Sequence, residues 1–346
     1  MSIKGKAYIA GIYEHPTRKA VDKSLAQLHA EVAAGALKDA GLTVDDVDAY
    51  YCAGDAPGLG PLSMVDYLGL KNCRHMDSTD TGGSSYVLHV GHAAQAIAAG
   101  KCKVALITLA GRPNAEGMAT GTAPRIYNQL APDVQFEFPS GPAVVNMYAM
   151  CAMRHMHEYG TTSEQLAWIK VAASHHAQYN EHAMLKKVVT VEDVVNSPMI
   201  SDPLHRLDCC VISDGGGAII VVAPEVAKSL KRPLVKIIGA GEAPKNQMGG
   251  QIDLTYSGAR WSGATAFAEA GVKPTDIKYA SIYDSFTITV LMQLEDLGFC
   301  EKGQGGKFVS DGNLISGVGK LPFNTDGGGL CNNHPSNRGG LTKVLE

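Results

Sequence analysis

Charge is scarce in this chain. Asp, Glu, Lys and Arg fill 18% of its 346 positions, and 30 basic against 34 acidic residues leave a formal net charge of −4 with no basic block. Without a positive face there is no electrostatic footprint for nucleic acid or an anionic lipid surface, and neither partner is expected. Long apolar runs are missing as well: none approaches the roughly 18 residues of a spanning helix. The opening MSIKGKAYIAGI lacks the charged-then-apolar layout of a secretory leader, so no membrane and a cytoplasmic location are expected. The eight cysteines are scattered with no CxxC and no ligand-like spacing, which argues against a disulfide framework or a cysteine metal site. They read as reduced, mostly core residues. Histidine is plentiful, but pairs such as His155/His157 and His175/His176 fall on helical patterns beside no cysteine or carboxylate motif, and no metal is expected.

Hydrophobic residues, in contrast, reach 45%, and the chain is long enough for one large α/β unit or two fused halves with a sizeable core. Residues 20–40 place Leu25, Leu28, Val32 and Leu37 at helical spacing and stop on Gly41, a residue suited to the left-handed turn after a helix. A short Tyr-rich strand follows, after Val44 and Val47. The pattern returns at 257–284: a helix ending in Ala-Gly, Asp276-Ile277 in place of Asp46-Val47, then a strand. AGLTVDDV and AGVKPTDI align without gaps, Gly41 falling on Gly271. A repeat of that size is too long for a solenoid and points to two similar α/β halves packed on each other. The charged, proline-bracketed PEVAKSLKRP at 224–233 marks the boundary, giving expected domains 1–228 and 229–346.

In the first half TGGSSYVLHVGHAAQAIAAG reads as a helix starting near Ser84 and KCKVALITLAG as a buried strand. Two glycines before a long helix let backbone N–H groups at Gly82, Gly83 and Ser84 approach a ligand oxygen, with the helix terminus adding positive partial charge. The same pair also fits a plain tight turn. CCVISDGGGAIIVVA opens a second apolar strand with three glycines, as if another backbone passes close by. The irregular stretch at about 111–141 is long enough to form a substrate-facing wall.

These landmarks resemble the thiolase superfamily, in its lipid-transfer-protein and sterol-carrier-type branch. The matching pieces are TGGSSYVLHVGHAAQAIAAGK (81–101), SDPLHRLDCCVISDGGGAIIV (201–221), YDSFTITVLMQLEDLGFCEKG (283–303) and NTDGGGLCNNHPSNRGG (324–340), in the family's order. The resemblance implies an α/β thiolase fold, two duplicated βαβαβαββ-type halves in five α-β-α-β-α layers, which agrees with the internal repeat. The departures are more informative. The family's nucleophilic cysteine falls on Gly83, which has no side chain to attack a thioester, so covalent acyl transfer through that position is excluded. The family's second-half motif reads Tyr283-Asp284-Ser285-Phe286, a phenol standing in place of the usual amide or imidazole, while the GHP histidine survives as His334 before Pro335. The resembled proteins continue into a final strand and glycine-rich loop with another catalytic cysteine, whereas this sequence stops within the helix before them.

Cleavage of a carbon–carbon bond beside a thioester leaves an acyl-CoA enolate, and that half of thiolase chemistry needs no cysteine. With a hydroxyl on the β-carbon, a base that removes its proton breaks the bond directly. The branch includes steroid side-chain-cleaving aldolases that lack the nucleophile, use a tyrosine and work with a small DUF35/OB-fold partner. The expected catalytic residues are Tyr283 at the hydroxyl and His334 at the thioester oxygen or enolate carbon, with Gly82, Gly83, Ser84, Tyr256, Asp326 and Cys331 around the substrate. A phenol with an ordinary pKa near 10 needs neighbours for a basic role, and His334 is one. Simpler readings stand beside these: a core Tyr283, a turn-shaping Asp326, a merely packed Cys331. The expected activity is retro-aldol cleavage of a bulky β-hydroxyacyl-CoA to a ketone or aldehyde plus acetyl-CoA or propionyl-CoA. The alternatives are a thiolase-type acyltransferase and a non-catalytic acyl-CoA or lipid binder. No cofactor is expected beyond the substrate's own CoA. The expected partners are the DUF35 subunit and a second copy, forming a homodimer core within a heterotetramer.

Overall fold

A computed structural model describes residues 2–121, 143–246, 248–335 and 339–346. The first half runs β1 (Ala7–Glu14), α1 (Leu25–Ala40), β2 (Ala49–Tyr51), α2 (Pro61–Tyr67), β3 (His75–Asp77), α3 (Ser85–Ala98) and β4 (Val104–Gly111). It continues through α4 (Val144–Tyr159), α5 (Ser163–Ala177), α6 (Val191–Val195), the hairpin of β5 (Met199–Ser201) and β6 (Leu204–His205), and β7 (Gly215–Val222). Then come α7 (Pro224–Ala227), β8 (Val235–Ile237), α8 (Ala259–Ala270), α9 (Thr287–Asp296), α10 (Gly305–Val309), α11 (Gly328–Cys331) and α12 (Gly340–Leu345).

Six strands form one mixed sheet in the order β3-β2-β4-β7-β1-β8. Its central strands β4 and β7 are buried along their whole length, so their sequences are near-continuous apolar runs. Their side chains still alternate: Ala105, Ile107, Leu109, Ile219 and Val221 pack against α3 and α12. Val104, Leu106, Ile220 and Val222 pack against α1 on the other face. The glycines that open β7 answer the close passage expected of them. A side chain on Gly216 would collide with the Leu109 carbonyl and the Ala110 backbone, and one on Gly215 would lie 2.8 Å from the Thr17 carbonyl oxygen.

The duplication is visible in packing. Gly41 and Gly271 end α1 and α8 at φ 71° and 70°, and each helix leads to a one-turn 3-10 segment closed by an acidic side chain. Asp46 accepts from Thr43 N–H at 2.8 Å, and Asp276 from Lys273 N–H at 2.8 Å. Gly11 lies against Ala36 and Ala40 of α1 as Gly239 lies against Ala266 and Ala270 of α8; a Cβ on either would be 2.5 Å from the helix carbonyl oxygen. The second half differs in its sheet. Among the described residues its extended segments make only isolated bridges, among them Ala280 to Phe323 and Ser213 to Pro335, and β8, beyond the expected boundary, joins the first-half sheet at β1. Side chains replace the missing ladder: Asn324 accepts from Ile282 N–H and donates to its carbonyl, both at 2.8 Å, as a neighbouring strand would. The core of this half gathers α5 and α9 around these segments.

One charged clamp ties the halves together. His92 of α3 donates to Asp77 at the end of β3 (2.5 Å) and to Glu242 beyond β8 (2.7 Å). The hydrogen bond to Asp77 leads the causes that hold the imidazole at about 9, and the same bond keeps Asp77 below the usual carboxylate range. A folded-state pKa above the unfolded 6.5 contributes stability that is fully present below pH 6.5 and is lost as pH rises through 9. His92→Gln is therefore expected to lower Tm by about 2–4 °C at pH 6, with the gap closing by about pH 10. Thermal melts of both proteins across that range check it, and an equal gap at both ends would refute it.

Candidate active site

Tyr283 and His334 come from segments about fifty residues apart that a buried hydrogen-bond lattice brings together. Tyr283 sits on the extended segment before α9, held by Asn324 at Ile282 and by Gln293, whose side-chain amide donates to the Tyr283 carbonyl at 2.7 Å. The next residue, Asp284, is fully buried and accepts from the backbone N–H groups of Gly329 (2.8 Å) and Leu330 (3.1 Å) at the start of α11. His334 follows α11, and its own N–H donates to Ser213 Oγ at 2.9 Å. The result places the Tyr283 hydroxyl 2.9 Å from His334 Nε2, with ring centroids 5.7 Å apart.

Burial sets the protonation of both. It pushes the Tyr283 phenol well above its ordinary value near 10 and lowers His334 to about 4, so at neutral pH both are uncharged. The hydrogen bond between the phenol and Nε2 thus joins two uncharged groups.

Gly83 packs directly beneath this pair. A Cβ there would sit 2.7 Å from the phenol oxygen and closer still to the ring carbons, so the tyrosine ring occupies the space a side chain at this position would need. Gly339 closes the other side: a Cβ on it would lie 3.1 Å from His334 Nε2 and 3.3 Å from Tyr283 Cε2. Above them opens a cavity of about 280 Å³ lined by Thr81, Gly82, Gly83, Pro113, Met118, Gly121, Val144, Tyr148, Cys210, Ile212, Ser285 and Phe286 as well as the pair itself. Its wall is mostly apolar, with the hydroxyl-bearing side chains of Thr81, Tyr148 and Ser285 among its lining. Tyr148 stacks on Phe286 with centroids 4.4 Å apart.

Several of the expected site residues lie elsewhere. Ser84 is exposed and pairs with Thr81 through its hydroxyl at 3.0 Å. Gly82 lines the cavity, but its N–H is taken by Asp80 at 3.0 Å and is not a free donor to substrate. Tyr256 meets Trp261 edge to face beneath Lys245, whose Nζ is 4.0 Å from the Tyr256 ring centre, and is not among the residues of the cavity wall. Asp326 caps α11 by accepting from Gly328 N–H at 2.8 Å and from the Asn332 side chain, so it shapes the turn. Cys331 is buried beside Lys170, its thiol raised by burial, and it does not reach the cavity. Of the expected wall at 111–141, Pro113, Met118 and Gly121 line the cavity; residues 122–141 lie outside the described residues. Conversely, Tyr148, Cys210 and Ser285 escaped the sequence reading. Ser285 was within reach, because two residues past Tyr283 on an extended segment is the same face. So was Cys210: neighbours alternate, Cys209 pointing into the core and Cys210 into the cavity. Among the described residues no cluster of three His, Cys, Asp or Glu side chains is placed to hold a metal, and no helix is long and apolar enough to cross a membrane.

The mixed sheet, the internal duplication and the Tyr283–His334 pair over the glycine turn before α3 fit a thiolase-type enzyme. Residues 240–346 match the family described as thiolase C-terminal domain-like. A steroid side-chain-cleaving aldolase from Thermomonospora curvata is 34% identical over 99% of this chain and 90% of its own. An acetyl-CoA acetyltransferase from Methanothermobacter thermautotrophicus is 32% identical over 94% of this chain and 85% of its own. The solved Ltp2-ChsH2(DUF35) aldolase superposes with a TM-score of 0.89 at 33% identity, covering 99% of this chain and 89% of that one. The chain belongs to the thiolase superfamily.

Proposed function

We propose that the chain is a carbon–carbon lyase that cleaves a bulky β-hydroxyacyl-CoA, of the steroid side-chain type, by a retro-aldol step. Sequence identity alone does not separate lyase from acyltransferase, since relatives with either name stand at nearly equal identity. The observation that carries the reading is the Tyr283 ring in the space above Gly83, which leaves no room for a nucleophile there. The other thiols do not replace it. Cys331 lies outside the cavity, and burial pushes the Cys210 thiol up, away from the reactive thiolate.

In the proposed step the substrate's β-hydroxyl proton passes to the Tyr283 oxygen as the phenol's proton passes to His334 Nε2. The C–O bond becomes a carbonyl, the adjacent carbon–carbon bond breaks, and its electron pair moves into the thioester as an enolate. The imidazolium formed at His334 is costly in this buried site by itself, but it appears together with the enolate charge and returns a proton to the enolate carbon. The products are a ketone or aldehyde and a shortened acyl-CoA. No second substrate enters.

The named DUF35 component of the similar solved aldolase supports a DUF35-type partner for this chain. A homodimer through β3 is supported by the position of that strand at the sheet edge and by its exposed Met76. The test is to express the chain with a DUF35-type partner and incubate the complex with a steroid β-hydroxyacyl-CoA, without free CoA. Mass spectrometry should show a shortened acyl-CoA and a ketone or aldehyde in equal amounts. Product that forms only from a β-ketoacyl-CoA with free CoA added would restore the acyltransferase reading.

A further inference from the structure

We propose that Lys343 is a positioning residue of this active site, which holds the Asp284 carboxylate in place and cancels its field at His334. The inference rests on the lyase reading for the part His334 plays. Asp284 joins both catalytic segments: it follows Tyr283 in sequence and grips two N–H groups at the start of α11, which leads to His334. Only the thickness of Gly329 separates it from the imidazole, since a Cβ on that glycine would lie 3.0 Å from Asp284 Oδ1 and 3.2 Å from His334 Cδ2. Lys343, from α12, is 6% exposed, and its Nζ lies 3.1 Å from the same Oδ1.

A buried carboxylate with no counter-charge is expensive and favours the protonated form of a neighbouring imidazole. Around His334 the titratable and charged groups are Tyr283 and Asp284 on the extended segment, Cys210 across the cavity, Asp326 on its own loop and Lys343 on α12. The Glu14–Arg18 pair lies one layer further out, bonded to Asn332 and Asn333. After burial, the two that act on the imidazole most strongly oppose each other, Asp284 favouring imidazolium and Lys343 the neutral ring. The Asp284 and Asp326 charges in turn outweigh the burial of Lys343 and keep it an ammonium. Lys343 is thus the group that lets a structural carboxylate stand beside a histidine that has to stay neutral.

The test reads His334 itself, by NMR titration of protein labelled at histidine Cε1, with the resonance assigned by its loss in His334→Asn. The wild-type midpoint should fall near 4. Lys343→Met should raise the imidazole's proton affinity about tenfold, and Lys343→Met combined with Asp284→Asn should bring it back toward wild type. Lys343→Arg, which keeps the charge, should leave it unchanged. If Lys343→Met does not fold, Asp284→Asn gives the converse reading, a lowered midpoint. An unchanged midpoint in whichever of these two folds would overturn the proposal. Because the titration needs no turnover, its failure is distinct from a failure to find retro-aldol products.

Discussion

Gly83→Cys is expected to abolish lyase turnover, at least about 100-fold on the scale of general acid–base catalysis, and to gain no acyltransferase activity in return. The residue would restore the thiolase nucleophile in name only. Its Cβ would overlap the Tyr283 ring, and that ring is held on two sides: Gly339 lies against its opposite edge, and His334 holds its hydroxyl. The ring must tilt out of the site, which breaks the bond to His334, or the α3 turn must move, which disturbs the contact between Gly83 and Gly340. Overpacking of this kind costs about 1–3 kcal/mol, so the variant should still fold with a lowered Tm. Gly83→Ala provides the control without the thiol and should lose activity to the same degree. The measurement is lyase turnover and CoA-dependent acyl transfer on both variants beside their melting curves. Full lyase activity in Gly83→Ala would mean that the ring is not confined, and CoA-dependent cleavage in Gly83→Cys would mean that the site had remained a thiolase site in geometry.

How much of this was legible beforehand depends on the range of the interaction. The duplication was readable because helix stops and 3-10 turns are local signals: Gly41 and Gly271, Asp46 and Asp276 act on residues within one or two turns of themselves. The glycines of β7 were readable for a related reason, since glycine weakens a buried strand and is kept there where a second backbone approaches too closely for a side chain. The meeting of Tyr283 and His334 at the cavity was legible through their motifs, each standing where the resemblance puts a functional group. The rest of the site was not. Tyr148 arrives from α4, far from the motifs in sequence, and nothing in the pattern of that helix marks the residue that faces the cavity. Tyr256, Asp326 and Cys331 do not line the cavity, and for Asp326 and Cys331 the structure shows the simpler readings, a turn-shaping carboxylate and a packed thiol. A glycine-rich turn folds back on itself, so its Asp326 and Cys331 point into the protein while His334, a few residues on, points out to the site. Asp284 shows the same limit in reverse: as the neighbour of Tyr283 on an extended segment it turns to the other face, and only the tertiary fold reveals that this face is where the histidine loop is anchored.

Tyr283→Phe is the second large effect expected, a loss of about 10²–10⁴ in kcat with KM little changed. The phenyl ring still fills the space between Gly83 and Gly339, so the cavity keeps its shape and the substrate its seat. What disappears is the oxygen through which the β-hydroxyl proton reaches His334. Stability should fall only by the order of one lost hydrogen bond, about 1–3 kcal/mol where it leaves His334 Nε2 without its partner. The split between a large change in kcat and small changes in KM and Tm is what separates a proton path from a core tyrosine, which would lose stability without losing turnover. His334→Asn should cost a similar factor, and the double variant should be hardly worse than either single one, because two residues that pass one proton fail as a unit. The wild-type pH profile supplies an independent check. His334 must be neutral to receive the proton, and burial places its titration at about 4 in place of 6.5, so kcat/KM should hold steady down through about pH 6 and fall only as pH drops toward 4. An acid limb near 6.5 would mean that the histidine is solvated when the substrate binds, and the relay through Tyr283 would then have to give way to direct proton exchange with water.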